Sequence, residues 1–262
     1  MKKLIGLKKD PDDSRDYKIK SIQEPKILPL SIDWSARMSL VKDQGALGSC
    51  VGFAVAAMKE FQEQSEYLDE LAHGNRYRRE QDHYDLSEAW IYWKSKEIDP
   101  WPDEEGTSIR CAMKILNTIG VPCERAYPYN DAYKGRPAYW ASLIARWGLI
   151  ASYWRIETLA ELKQELMNGP VVIGIECFED IFYPDQNGKV KYPQNPDACI
   201  GGHAICIVGY NDSTQLVCFK NSWSTSWGKN GYGYLSYDYI RDFMLDAWVA
   251  KDLRVTRKTI LQ

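Results

Sequence analysis

The sequence predicts an α+β protein of two lobes, helical first and mostly antiparallel β second. Three observations carry this. Apolar residues recur at helical spacing through the first half. Beyond about residue 140 they gather into short strand-like runs separated by turn residues. The 262 residues suffice for one large domain or two closely packed lobes. Three segments follow: an N-terminal extension at 1–30, a helical lobe at 31–140 and a β-rich lobe at 141–262.

Residues 1–30 are charged and punctuated by Pro11, Pro25 and Pro29, which predicts an extended arm. Residues 50–71 place Phe53, Ala57, Phe61, Tyr67, Leu68 and Leu71 close to helical spacing, and Leu86 to Ile98 is a second helix candidate. Thr107 to Ile119 is a third, with Thr107 or Ser108 able to cap it and Gly120 to end it. Leu149 to Ile156 predicts a strand. Leu159 to Met167 predicts a short helix stopped by Asn168-Gly169-Pro170. Val171 to Ile175 is β-branched and strand-like, and His203 to Tyr210, Gln215 to Lys220 and Tyr232 to Tyr237 continue the pattern.

Composition narrows the function. A formal net charge of -3 gives no general attraction to nucleic acid or anionic lipid. No run approaches the ~20 apolar residues of a membrane span, and the basic N-terminus lacks the apolar core of a signal peptide. A reducing cytoplasm is the default expectation, with export by a signal-independent route left open. The 10 Trp and 17 Tyr could line a groove, but such residues more often fill cores. Seven cysteines is an odd number, so at least one is outside any internal disulfide. Cys177, Cys206 and Cys218 lie in apolar runs and read as small core residues. With no CxxC pair and three histidines, no metal site is expected.

Cys50 stands out. It follows Gln44-Gly45-Ala46-Leu47-Gly48-Ser49 and opens the first helix. A thiol attacks carbonyls only as a thiolate, and a helix N-terminus stabilises that charge. A neighbouring imidazole can take the proton. His73 and His83 lie in a polar stretch and face water in this reading. His203 follows Gly201-Gly202 and opens an apolar strand, where a lone histidine is ordinarily structural; with Cys50 present it becomes the candidate base. Asn221 follows a later strand. An asparagine there is usually a turn former, but it can also hold an imidazole in place. Trp223 can shield that hydrogen bond from water.

Together these stretches resemble the papain-like cysteine peptidases. The matching blocks run in family order: Val41-Lys42-Asp43-Gln44-Gly45, Gly48-Ser49-Cys50, Leu86-Ser87-Glu88, Ala126-Tyr127-Pro128-Tyr129, Gly169-Pro170-Val171, Gly202-His203-Ala204, Val208-Gly209-Tyr210 and Asn221-Ser222-Trp223 with Trp227-Gly228. His203 and Asn221 follow Cys50 at or slightly beyond the family's usual ~130–150 residues. The resemblance implies a helical lobe and an antiparallel β-barrel-like lobe with the cleft between them. It implies Cys50 as nucleophile, His203 as base and acid, Asn221 as orienting residue and Gln44 as oxyanion donor beside the Cys50 backbone N–H. Gly106 would pair its backbone with an extended substrate. Val171 and Ala204 would wall a substrate pocket, and Trp223 would border the site.

The activity implied is peptide-bond hydrolysis by an endopeptidase acting on polypeptides as a monomer, with no cofactor. Transamidation, peptide ligation or exopeptidase trimming on the same triad is the alternative within enzymes. A non-catalytic papain-fold binding module is the alternative outside them, disfavoured because all four residues are present. Leu47 stands where the family usually has a disulfide cysteine, and Val51 where it usually has an aromatic. The substrate-strand glycine pair is reduced to Glu105-Gly106. The aromatic and acidic insert Trp101-Pro102-Asp103-Glu104-Glu105 can shape the cleft rim. The N-terminal arm is too short for the family's long helical pro-region. It either borders the cleft and limits access or is a solvated tail or strap.

Overall fold

The computed structural model describes residues 5–14, 16–18, 27–72, 85–132 and 134–253. The three predicted helices of the first half are α1 (Cys50–Ala72), α2 (Glu88–Lys96) and α3 (Ile109–Thr118). Ser87 caps α2 by accepting from the Trp90 N–H, and Ser108 caps α3 by accepting from the Cys111 N–H. Short polar side chains at these positions satisfy amide donors that have no partner within the helix. A short α4 (Ala141–Ala145) closes this half. It is one of the elements that sequence periodicity does not reveal.

The first three turns of α1 are buried on every side, not along one stripe. Lys59 and Glu60 are therefore inside the protein, and each is neutralised locally. Lys59 binds Glu63 at 2.6 Å and also Asp252, while Glu60 meets Lys42 at 3.1 Å. A buried charge persists only with such partners.

The strands are β1 (Ser31–Asp33), β2 (Ile150–Ile156), β3 (Val171–Cys177), β4 (Gly201–Asn211), β5 (Leu216–Lys220), β6 (Tyr232–Ser236) and β7 (Met244–Asp252). Two helices join them: α5 (Leu159–Glu165), opened by a Thr158/Glu161 capping box, and α6 (Tyr237–Phe243). All named pairings are antiparallel, in the order β2-β7-β3-β4-β5-β6. The sheet is not closed on itself, consistent with the expected two-lobed α+β fold. β3 pairs with β4 up to Val171↔Ile207, and β1 takes the same edge from Asp33↔Gly209 onward. The β-rich half thus borrows a strand from before α1.

One face of the sheet packs on the helices. There Val172, Cys206, Val208 and Trp248 join the core of α1, α2 and α3. The other face forms a second core around Val171, Ile173, Ile175, Phe219, Trp223, Trp227 and α6. All seven cysteines are free thiols. No helix among the described residues is long and apolar enough to cross a membrane.

Candidate active site

The chain brings Gln44, Cys50, His203 and Asn221 together where α1 meets the sheet, and all four are buried. Cys50 is the first residue of α1, so the helix N-terminus lies against its thiol. The Ala204 N–H donates to Cys50 Sγ at 3.4 Å, which puts the thiol beside the start of β4. His203 Nε2–H donates to Asn221 Oδ1 at 2.9 Å. That bond keeps the proton on Nε2 and leaves Nδ1 as the basic nitrogen. Nδ1 is buried and has no protein hydrogen-bond partner.

Asn221 Oδ1 is itself fixed by the Ser222 N–H at 2.8 Å. Trp223 stacks on the imidazole at 4.6 Å between ring centroids. It is itself buried against the ring.

Gln44 is oriented from both ends of its amide. Oε1 accepts from Ser222 Oγ at 2.6 Å and from Trp223 Nε1 at 3.2 Å. Nε2 donates to the Leu47 carbonyl at 2.9 Å, facing the turn that leads into Cys50. A donor held this way needs little reorganisation when negative charge develops beside it.

Burial pushes the Cys50 thiol up, against the pull of amides from Ala204, Gly6, Val51 and its own residue. Burial lowers His203 to about 4, partly offset by Asn221. Both groups are therefore neutral as folded here: desolvation disfavours the thiolate and the imidazolium alike.

A cause of that burial lies in the arm. Residues 5–8 run through the site between the two halves. Leu7 N–H donates to the Gly202 carbonyl at 2.9 Å, Lys8 N–H to Thr107 O at 3.0 Å, and Thr107 N–H to Gly6 O at 3.0 Å. The fit is tight: a Cβ on Gly6 would fall 1.9 Å from the Gly48 carbonyl oxygen. The arm offers the thiol an amide N–H from Gly6, while the Gly6 carbonyl is held by Thr107.

Placement of the weaker candidates differs from expectation. Gly106 does approach the arm, since a Cβ there would meet Gly6 O at 2.0 Å, and its φ of +87° suits glycine. The backbone pairing itself falls one residue later, at Thr107. Ala204 is buried beside Cys50 and touches it through its backbone. Val171 faces the second core, away from the cleft. Gly174 instead takes the cleft position, with the Leu7 side chain filling the space its own Cβ would need.

The acidic insert reaches the rim as expected. Glu104 pairs with Lys8, and Glu105 Oε2 accepts from the Gly48 N–H at 3.3 Å. His73 and His83 lie outside the described residues. Among the described residues no group of His, Cys, Asp and Glu could hold a metal ion.

The chain is similar to known proteins in sequence and in fold. Residues 28–245 match the family described as papain family cysteine protease. A peptidase C1-like protein of Acanthamoeba polyphaga mimivirus is 29% identical over 91% of this chain and 80% of its own. The cathepsin L-like proteinase of Fasciola hepatica is 27% identical over 78% of this chain and 59% of its own length. Among solved structures, xylellain, a cysteine protease of Xylella fastidiosa, superposes with a TM-score of 0.82 at 25% identity, covering 95% of this chain and 96% of that one. Procathepsin L 3 of the Tenebrio molitor larval midgut gives 0.66 at 24% identity, covering 90% and 74%, a likeness of fold.

Proposed function

The chain belongs to the papain family of cysteine proteases, and from that premise we propose that Cys50, His203, Asn221 and Gln44 hydrolyse peptide bonds in polypeptide substrates. The carrying observation is the unpartnered Nδ1 of a histidine whose Nε2 is tied to Asn221, next to a thiol at a helix N-terminus. Nδ1 takes the Cys50 proton and the thiolate attacks the carbonyl carbon. The oxyanion rests against Gln44 Nε2 and the Cys50 N–H. His203 then protonates the leaving amine, and water, deprotonated by the same nitrogen, clears the thioester. One chain supplies every group.

The same reading makes the arm an inhibitor. It fills the cleft and desolvates the catalytic pair. Leaving the cleft exposes Cys50 and His203 to water, where the ion pair forms more readily.

A thiol-directed epoxide tests both parts. The Gly6→Ala chain cannot seat its arm against Gly48, so Cys50 is modified in it at least tenfold faster than in the unaltered chain. Adding His203→Ala removes the labelling. An unreactive Cys50 in Gly6→Ala sinks the protease reading; equal rates in the two chains sink the arm reading.

A further inference from the structure

Beyond the cleft the arm enters a crowded charge cluster. Asp10 is 2% exposed and Asp246, on β7, is 3% exposed. The Asp10 N–H donates to Asp246 Oδ2 at 3.4 Å, which sets the two side chains beside each other, and each carboxyl influences the protonation of the other. From α3, the Arg110 N–H donates to Asp10 Oδ2 at 2.9 Å, and its guanidinium lies 3.9 Å from Asp10 Oδ1. The Arg110 guanidinium binds Asp16 Oδ2 at 2.5 Å. From β2, Arg155 lies 3.5 Å from Asp12 and 3.6 Å from Asp16. Asp13 adds its field at Arg110.

Two guanidinium groups therefore face Asp10, Asp12, Asp13, Asp16 and Asp246. Asp246 Oδ1 has no hydrogen-bond partner at all. Two buried carboxylates in contact cannot both ionise without strong repulsion. The remaining titratable neighbours, Cys111 on α3 and Tyr153 on β2, are both pushed up by burial and stay neutral.

We propose that Asp10 and Asp246 form a proton-held latch that keeps the arm in the cleft while the pair shares a proton and lets it go when both carboxyls ionise, so that the protease opens as pH rises. The inference rests on the arm occupying the cleft. Burial and Asp10 raise Asp246 to about 7, and burial raises Asp10 also. Docking thus takes up one proton between the ordinary carboxylate range near 4 and about 7. Across that window the release constant rises by up to about tenfold per pH unit, and it levels off above it. Each release frees one proton to solvent and no covalent bond changes.

The test uses the full chain made inert by Cys50→Ala. Hydrogen exchange is followed at the Leu7, Lys8 and Thr107 amides, which hold the arm, from pH 5 to 8. Protection corrected for intrinsic exchange falls by up to about tenfold per unit until pH 7. In Asp246→Asn and in Asp10→Asn, where an amide replaces one carboxyl of the pair, the slope becomes clearly shallower, and only burial of the remaining carboxyl sustains it. A flat profile in the Asp10/Asp246 chain, or an unchanged slope in both variants, overturns the latch. Asp10→Asn alters only the arm, so it decides the matter even where Asp246→Asn destabilises the body of the protein. Peptide hydrolysis by the Cys50 chain should rise with pH more steeply than in Gly6→Ala. If neither chain hydrolyses peptides the protease reading fails, and the exchange result still stands or falls by itself.

Discussion

Ser222 does two jobs at the residue scale: its N–H steadies Asn221 and its hydroxyl steadies Gln44. Removing the Gln44 amide altogether deletes an oxyanion donor, so Gln44→Ala lowers kcat about 10²–10³-fold. Ser222→Ala leaves Trp223 Nε1 still holding Gln44 Oε1. It therefore costs only about one hydrogen bond, about 1 kcal/mol or roughly fivefold in kcat. Both are measured on one peptide in the Gly6→Ala background; equal losses would mean that Trp223 gives Gln44 no independent support. The four residues themselves were legible because each sits in a short block with a fixed local job: a glycine turn, a helix start, a strand start, a strand exit. Val171 was misread for a geometric reason. Side chains alternate along a strand, so Val171 and Gly174, three apart, face opposite sides of the sheet. No local signal in Gly169-Pro170-Val171 says which face meets the cleft.

At the element scale, helices with strong caps were found nearly to the residue, while α4, α6, β1 and β7 were not. β7 reads Met-Leu-Asp-Ala-Trp-Val-Ala-Lys-Asp, and its buried Asp246 breaks the apolar pattern of an inner strand lying between β2 and β3. The sequence reads the arm as extended and leaves open whether it borders the cleft, because its place is fixed by backbone bonds to Gly202 and Thr107, which no side-chain pattern encodes. The capping box of α5 was not singled out, yet it anchors an element resting on the second core through Leu162. Thr158→Ala removes an acceptor for the Glu161 N–H and loosens the return bond from Glu161 to the Thr158 N–H. The loss is about 1 kcal/mol, seen as a melting point lower by about 2–4 °C. Calorimetry on the inert Cys50→Ala chain measures it, and an unshifted midpoint would show that α5 is held by packing alone.

Across the whole molecule, the two halves are joined beneath the site by buried charge. Lys42 meets Glu60 at 3.1 Å and Glu88 at 2.6 Å, and Lys220, one residue before Asn221, donates to Ser39 at 2.8 Å. The network ties the segment before Cys50 to α1, α2 and β5. Burial is the largest influence on Glu88, raising it to about 8 against the pull of Lys42. A carboxyl whose folded value lies above its unfolded one stabilises the fold fully below the ordinary range near 4.5. That contribution is lost as pH rises through about 8, at up to about 1.4 kcal/mol per unit. Glu88→Gln keeps an acceptor for Lys42 and removes the titration. Measured on the inert chain at pH 5, 6.5 and 8, the unaltered protein should lose melting temperature relative to Glu88→Gln at each step. Comparing two chains that differ at one residue cancels the Asp10/Asp246 pair, which titrates in both. Parallel curves would place the proton elsewhere in the network, with Glu124 the next candidate because burial pushes its carboxyl up as well.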